Sequence, residues 1–191
     1  GFEWGDEAAI SDVTRISQTL NLWEGEILSR FTWKGNDFDV RTVCHPAQDM
    51  ISAHIDSHLH TGIKFHFPYP TGIHTDNACD WDANDKHSTE VLKQDTQSAV
   101  LKRTLDSTVY YVELKWEGKA LLKEKEKNYF VLLPQEDTFS FSCAFTVNEP
   151  DQLAALPNFS EVESLAKNHW ASFWEKGAAV DFSHCTDPRA K

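Results

Sequence analysis

The sequence predicts an all-β fold, an antiparallel β-sandwich followed by a C-terminal linker helix. Between residues 17 and 147, short runs of β-branched and aromatic residues alternate with turn residues, which is typical of antiparallel strands. Helical spacing of apolar residues begins after residue 158. Many strands joined by tight turns favour two sheets packed face to face.

The predicted strands follow one another through short connections. They cover residues 18–23, 26–33, 38–44, 50–56, 62–67, 91–95, 99–105, 108–116, 120–124, 129–133 and 139–147. Turns are indicated by Gly25, by residues 34–37, 45–46, 106–107 and 117–118, and by Pro134. Residues 1–4 are also strand-like.

Strict alternation predicts which strand faces are buried. One face of the strand 139–147 carries Phe139, Phe141, Cys143 and Phe145. The more apolar face of the strand 108–116 carries Tyr110, Val112, Leu114 and Trp116. We expect both faces to contribute to the core.

One amphipathic helix is predicted near the carboxyl end. Ser160 and Glu163 have the spacing of a capping box, and Gly177 is a candidate left-handed stop. The apolar positions between them are Val162, Leu165, Ala166, His169, Trp170, Phe173 and Trp174. This face is expected to pack on a sheet or on a neighbouring domain.

The last residues resemble the start of a second helix. Asp187 and Pro188 suit an N-cap and a first helical turn, and the sequence ends at Lys191. So short a helix is not stable alone in water. We therefore expect a piece of a larger protein, with a sandwich domain over residues 1–157 and a linker helix and the start of a helical domain over residues 158–191.

Composition limits the classes of partner. The net charge is −12, whereas nucleic-acid binding and attraction to an anionic membrane surface both require clustered Lys and Arg. No apolar run reaches the ~20 residues that span a bilayer. Neither a nucleic-acid nor a membrane partner is expected.

The four cysteines do not form a recognisable motif. Cys44, Cys79, Cys143 and Cys185 are far apart in sequence and include no Cys-x-x-Cys pair. Three disulfide pairings are open, and free buried thiols are the alternative.

The segment 68–89 is the strongest candidate for a functional loop, because ordered loops longer than ~15 residues are usually functional. Its polar and aromatic side chains suit a sugar, whose hydroxyls need hydrogen bonds and whose apolar face stacks on a ring. The candidate contacts are Tyr69, His74, Asp76, Asp80, Trp81, Asp82 and His87. The alternative is that Trp81 only fixes the loop to the sheet while the carboxylates face water.

Metal and catalytic motifs are weak. The run 80–84 matches the first positions of an EF-hand, but Asp85 replaces its glycine and Val91 its bidentate Glu, so only a looser calcium site stays open. His54, His58 and His60 are either a zinc set on one strand face or surface histidines. No motif of a nucleophilic hydrolase, phosphate loop or dinucleotide site is found. We expect no cofactor, no metal and no catalytic residue.

Several stretches together resemble the amino-terminal β-sandwich of glycosidases in the six-hairpin superfamily, which includes maltose-phosphorylase-like and α-L-fucosidase-like enzymes. They are residues 18–25, 42–46, 48–50, 67–72, 80–81 and 185–191. The resemblance implies a galactose-mutarotase-like supersandwich, here lacking its first strands, joined by a helical linker to an (α/α)6 catalytic domain. It also implies that the catalytic carboxylates belong to that domain.

The resemblance implies a non-catalytic module of a secreted or periplasmic glycoside hydrolase, whose loop 68–89 reaches the carbohydrate site of the (α/α)6 domain. The expected partners are that domain, a carbohydrate and a second copy of the chain paired through exposed sheet edges. Two alternatives remain open: a stand-alone carbohydrate-binding module, and a mutarotase-like enzyme with its own acid and base.

Overall fold

A computed structural model describes residues 1–5, 9–75, 78–151, 156–177 and 180–190. The strands, in chain order, are β1 Phe2–Glu3, β2 Val13–Asn21, β3 Glu26–Trp33, β4 Asn36–Cys44, β5 Met50–Asp56, β6 Gly62–His66, β7 Tyr69–Pro70, β8 Cys79–Asp80, β9 His87–Gln94, β10 Ser98–Leu105, β11 Thr108–Glu117, β12 Ala120–Glu126, β13 Tyr129–Pro134 and β14 Thr138–Thr146. The helix α1 spans Phe159–Lys176, and short 3₁₀ helices span Ile10–Asp12 and Pro188–Ala190.

Two sheets form an antiparallel β-sandwich, as predicted. The larger has eight strands in the order β2-β3-β4-β5-β14-β11-β10-β9, and the smaller has four in the order β1-β6-β13-β12. The short strands β7 and β8 pair separately within the segment 68–89. Every predicted strand corresponds to an observed one, with ends that differ by a few residues.

The main core lies between the two sheets. It contains Leu101, Val112 and Trp116 from the large sheet, and Phe130 and Leu132 from the small one. Trp116 and Phe130 are almost completely buried, at 2% and 0% exposure. The predicted apolar face of β11 is therefore confirmed, and of the predicted face of β14 only Phe145, at the far end, is exposed.

The helix α1 packs on the outer face of the large sheet and forms a second core. Phe159, Val162 and Ala166 of α1 contact Val43 and Met50 of β4 and β5. Beside this core, Arg41 of β4 bonds to Glu163 of α1 at 2.7 Å. The first half of the apolar stripe predicted for this helix therefore packs on the large sheet.

The predicted ends of α1 are corrected by the structure. Asn158, not Ser160, is the N-cap: its side chain accepts from the Glu161 amide at 3.0 Å, and Glu161 bonds back to the Asn158 amide at 2.7 Å. Gly177 is not left-handed, since its φ is −86° and its ψ is −168°. The N-cap therefore lies two residues earlier than predicted, and the first helical residue, Phe159, is buried.

All four cysteines are free thiols. Cys143 is buried in the main core, and its burial raises the pKa of the thiol to about 12. Cys44 and Cys79 are exposed.

Candidate functional site

The segment 68–89 is built around a small two-stranded sheet. Tyr69 of β7 pairs with Asp80 of β8. The Oδ1 atom of Asp80 accepts hydrogen bonds from the amides of Asp82 at 3.1 Å and Ala83 at 3.2 Å, and Ala83 is buried. Asp80 therefore closes the turn that presents Trp81, a role that leaves its carboxylate partly occupied.

The far end of this segment is fixed by a buried asparagine. Asn128 has 0% exposure and a φ of +64°, a conformation that asparagine tolerates better than most residues. Its Nδ2 donates to the carbonyl of Asn84 at 3.3 Å, and its Oδ1 accepts from Thr89 at 2.9 Å. The turn between β12 and β13 thereby holds the loop against the sandwich.

Arg103 lies beside Asn128 and is only 1% exposed. Its Nη1 donates to Thr89 Oγ1 at 2.7 Å and to Asn128 Oδ1 at 3.2 Å, and its guanidinium faces the ring of Phe67 at 4.8 Å. None of the ion pairs found among the described residues includes Arg103. The guanidinium is therefore held by neutral acceptors and aromatic faces.

His87 belongs to the same buried network. It is 5% exposed, and its Nδ1 accepts a hydrogen bond from Arg103 at 2.8 Å. Burial first, and then the charge of Arg103, lower the pKa of His87. This predicted sugar contact therefore lies mostly inside the network that holds the loop.

Trp81 is the exposed aromatic of the site. Half of its surface is accessible, and its ring lies 4.7 Å from that of His66. The His66 ring stacks in turn on Tyr129 at 4.6 Å, and burial, followed by the charge of Lys64, lowers the pKa of His66. A cavity of about 410 Å³ is lined by Trp81, His66, Lys64 and Gly1.

The remaining candidates are dispersed. The Tyr69 hydroxyl donates to Asp106 at 3.2 Å, which raises the pKa of Tyr69. His74 and Asp82 are exposed, and Asp76 lies outside the described residues. The structure therefore groups Trp81 with residues that the sequence did not single out, rather than with the other candidates.

Strand alternation could have found those additional residues. Lys64 and His66 alternate along β6 with Ile63 and Phe65, which face the core. Arg103 follows Leu101 on the inward face of β10, a position where a charged side chain must be buried. No pattern in the sequence indicates Asn128, since its role depends on how two distant turns meet.

The histidines considered for zinc have other partners. His58 and His60 both bond to Asp137, each at 2.8 Å, and His54 bonds to Ser140 at 2.8 Å. The described part of the chain holds no group of three or more His, Cys, Asp or Glu that suits a metal ion.

A second aromatic cluster lies where the end of α1 meets the turn between β2 and β3. It contains Trp23, Trp170, Phe173 and Trp174. The Trp174 Nε1 donates to the Leu22 carbonyl at 2.6 Å, whereas Trp23 and Phe173 stay 60% and 51% exposed.

Within the described ranges, no helix is long and apolar enough to pass through a bilayer.

Comparison with known proteins supports the fold rather than a function. No family model and no curated protein matches the chain. Among solved structures, it is similar to the provisionally named kojibiose phosphorylase from the human microbiome, with a TM-score of 0.58 and 13% identity. The match covers 85% of this chain but only 25% of that protein. The predicted likeness to a sandwich of such enzymes is thus confirmed at the level of the fold.

Proposed function

We propose that this chain is a non-catalytic sandwich module of a secreted or periplasmic glycoside hydrolase. In this proposal, the loop that carries Trp81 contributes to the carbohydrate site of an (α/α)6 catalytic domain in the same polypeptide. The observation that carries it is the fold shared with a much longer protein named for action on a disaccharide, of which this chain spans about a quarter.

The exposed aromatic cluster of α1 supports a second domain. Trp23 and Phe173 leave a large apolar area uncovered beside Trp174. Such patches on soluble proteins commonly mark interaction sites. We place the contact with the helical domain at this cluster, with the linker helix α1 leading to it.

The proposal is tested in two steps. The coding sequence beyond Lys191 is read for a long stretch of helical periodicity, and the complete polypeptide is then assayed on glycosides. Trp81→Ala should lower kcat/KM by about ten- to a hundredfold, since stacking on an aromatic contributes ~1–3 kcal/mol. Phe145→Ala, which removes another half-exposed aromatic, is the matched control. A stop codon close to Lys191, or unchanged kinetics of Trp81→Ala, contradicts the proposal.

A stand-alone carbohydrate-binding module is the second candidate. The half-exposed Trp81 and the cavity of about 410 Å³ beside it favour this function. Calorimetry of this chain with oligosaccharides separates the two candidates. A binding module binds without a further domain and loses most of its affinity in Trp81→Ala, whereas an accessory loop binds little by itself.

The proposal includes a homodimer formed through β2. This strand lies at the edge of the large sheet, and its Ile16 and Leu20 are 67% and 55% exposed. Unpaired edges of this kind recruit another strand. Sedimentation should give a dimer that Ile16→Lys dissociates, and a monomer at all concentrations rules it out.

A further inference from the structure

We propose that the outer face of the four-stranded sheet, which begins beside Trp81, binds a carbohydrate bearing carboxylate or sulfate groups. This inference rests on the second candidate function, the carbohydrate-binding module, because it names the ligand class of the same site. We call this surface the lysine face and define it by Lys64, His66 and Lys123.

The strand register places these residues on one side of the sheet. Lys64 lies opposite Val131, and Val131 lies opposite Lys123. Directly opposed residues in antiparallel strands share a face, and neighbouring strands are ~4.8 Å apart. Lys64 and Lys123 are therefore ~10 Å apart across the sheet. His66, two residues after Lys64, lies on the same face.

The packing at Gly62 confirms this orientation. A Cβ atom built on Gly62 would lie 2.5 Å from a methyl carbon of Val131 and 3.3 Å from Cβ of Glu3. Gly62 is two residues before Lys64, so its Cβ direction marks the outer face. Val131 and Glu3 thus belong to the same surface as the two lysines.

The charges of the lysine face are not balanced by its acidic groups. Glu3 bonds to Lys125 at 2.8 Å and also to the Tyr129 hydroxyl, and Glu126 acts electrostatically on His66. Lys64 and Lys123 are both exposed and form none of the ion pairs found within the described ranges. Once the Glu3–Lys125 pair is set aside, Lys64 and Lys123 outweigh the single charge of Glu126, so this face carries a net charge of +1 on a chain with a net charge of −12.

In this inference, Trp81 offers a surface on which a sugar ring stacks, and the two lysines attract the acidic groups of the ligand. The ring of Trp81 lies 4.7 Å from that of His66 and is tilted against it by 53°. The cavity beside Trp81, which Lys64 also lines, is about 410 Å³, within the range of small-molecule sites. A neutral sugar ring stacks there without using Lys64 or Lys123. A ring with a carboxylate or sulfate gains their attraction in addition, which also favours fast association.

Calorimetric titration of this chain with three hexasaccharides tests the inference. The probes are oligogalacturonate, a heparin-derived oligosaccharide and maltohexaose, which carry carboxylates, mainly sulfates and no charge. At low ionic strength, at least one acidic probe should bind ten or more times tighter than maltohexaose. This advantage should shrink at ~0.2 M salt, because exposed charges are then screened beyond ~8 Å. The tighter acidic probe identifies the recognised group.

Substitutions then separate charge from stacking. The double variant Lys64→Gln/Lys123→Gln should weaken binding of the acidic probe by about tenfold and leave maltohexaose unchanged. The double variant Lys34→Gln/Lys176→Gln, which removes the same two charges from exposed positions outside the lysine face, is the control and should change neither. Trp81→Ala should weaken every probe that binds.

The outcomes distinguish this inference from the proposed function. Equal affinity for charged and neutral probes, lost in Trp81→Ala, overturns the inference and supports a carbohydrate site. The absence of any binding to the acidic probes also overturns it, while the kcat/KM of the complete polypeptide still decides the proposed function. Acidic binding that the double lysine variant leaves unchanged overturns it as well.

Discussion

Nη1 of Arg103 donates a hydrogen bond to Nδ1 of His87 over 2.8 Å inside the sandwich. The imidazole accepts here, so the ring must be neutral, with its proton on Nε2. Protonation of His87 would place a second cation in contact with the guanidinium. The network that holds the loop therefore depends on an uncharged histidine.

We predict that the free energy of unfolding decreases as the pH falls below about 6.5, the pKa of histidine in an unfolded chain. Because burial and Arg103 lower the pKa of folded His87, the unfolded chain binds more protons in this range. The contribution of neutral His87 to the free energy of unfolding is complete above about pH 6.5. It is lost as the pH falls toward the lowered pKa of His87 in the folded chain. Urea unfolding between about pH 8 and 5 measures it.

The matched variants are His87→Gln and His74→Gln. Glutamine can accept from Arg103 but does not titrate, so His87→Gln should flatten the pH dependence. The part of the pH dependence that comes from His66, whose pKa is also lowered, should remain. His74 is exposed, and its variant should follow the parent curve. A profile for His87→Gln as steep as the parent's would show that the network does not sense this proton.

Arg103→Lys should destabilise the chain by about 2–4 kcal/mol. A lysine keeps the charge but cannot donate from fixed positions to His87, Thr89 and Tyr110 together. Arg30→Lys is the control, because the Arg30 side chain is 62% exposed and pairs with Asp39 at the surface. It should cost less than about 1 kcal/mol in urea unfolding. Equal effects of the two substitutions would contradict the prediction.

Gly25→Ala should be more destabilising than Gly35→Ala. Both glycines have positive φ, of +66° and +76°, so each alanine brings a backbone strain of about 1 kcal/mol. A Cβ on Gly25 would also lie 2.0 Å from a ring carbon of Trp170, while nothing lies within 4 Å at Gly35. We expect a further cost of about 1–3 kcal/mol and a change in the near-ultraviolet circular dichroism of the aromatic cluster. Identical stabilities would mean that α1 moves freely at this contact.

Asn158→Ala should lower stability by about 1 kcal/mol, because it removes the cap of the Glu161 amide. Ser160→Ala should cost less than about half of that, since the Ser160 hydroxyl only donates to Asn158 Oδ1 at 2.8 Å. Thermal unfolding of the two variants compares these positions directly. A larger loss for Ser160→Ala would restore the capping assignment expected from the sequence.

The sandwich was predictable because its strands alternate clearly and its turns are short. The run from Phe139 to Phe145 and the run from Tyr110 to Trp116 each show their buried face in the sequence alone. The order of strands could not be predicted, because β5 pairs with β14 and β6 pairs with β13, and these strands are far apart in the sequence. Local patterns carry no information about such pairings.

The site was predictable only in part, for a similar reason. The length and aromatic content of the segment 68–89 drew attention to Trp81, which the structure leaves half exposed, but the sequence left open whether this ring faces a ligand or fixes the loop. Whether His87 faces solvent or Arg103 depends on a neighbouring strand, so the sequence could not decide it. The lysine face likewise appears only when the registers of β6, β13 and β12 are known.

The buried thiol of Cys143 can be modified only when the core opens. Only thiolate reacts appreciably with alkylating reagents and oxidants, and a pKa of about 12 makes thiolate very scarce at neutral pH while the core is closed. Cys44 and Cys79 are exposed and react regardless of opening. Modification at Cys143 therefore accumulates with the time that each molecule has spent with its core open. The modified fraction of this one thiol measures that time.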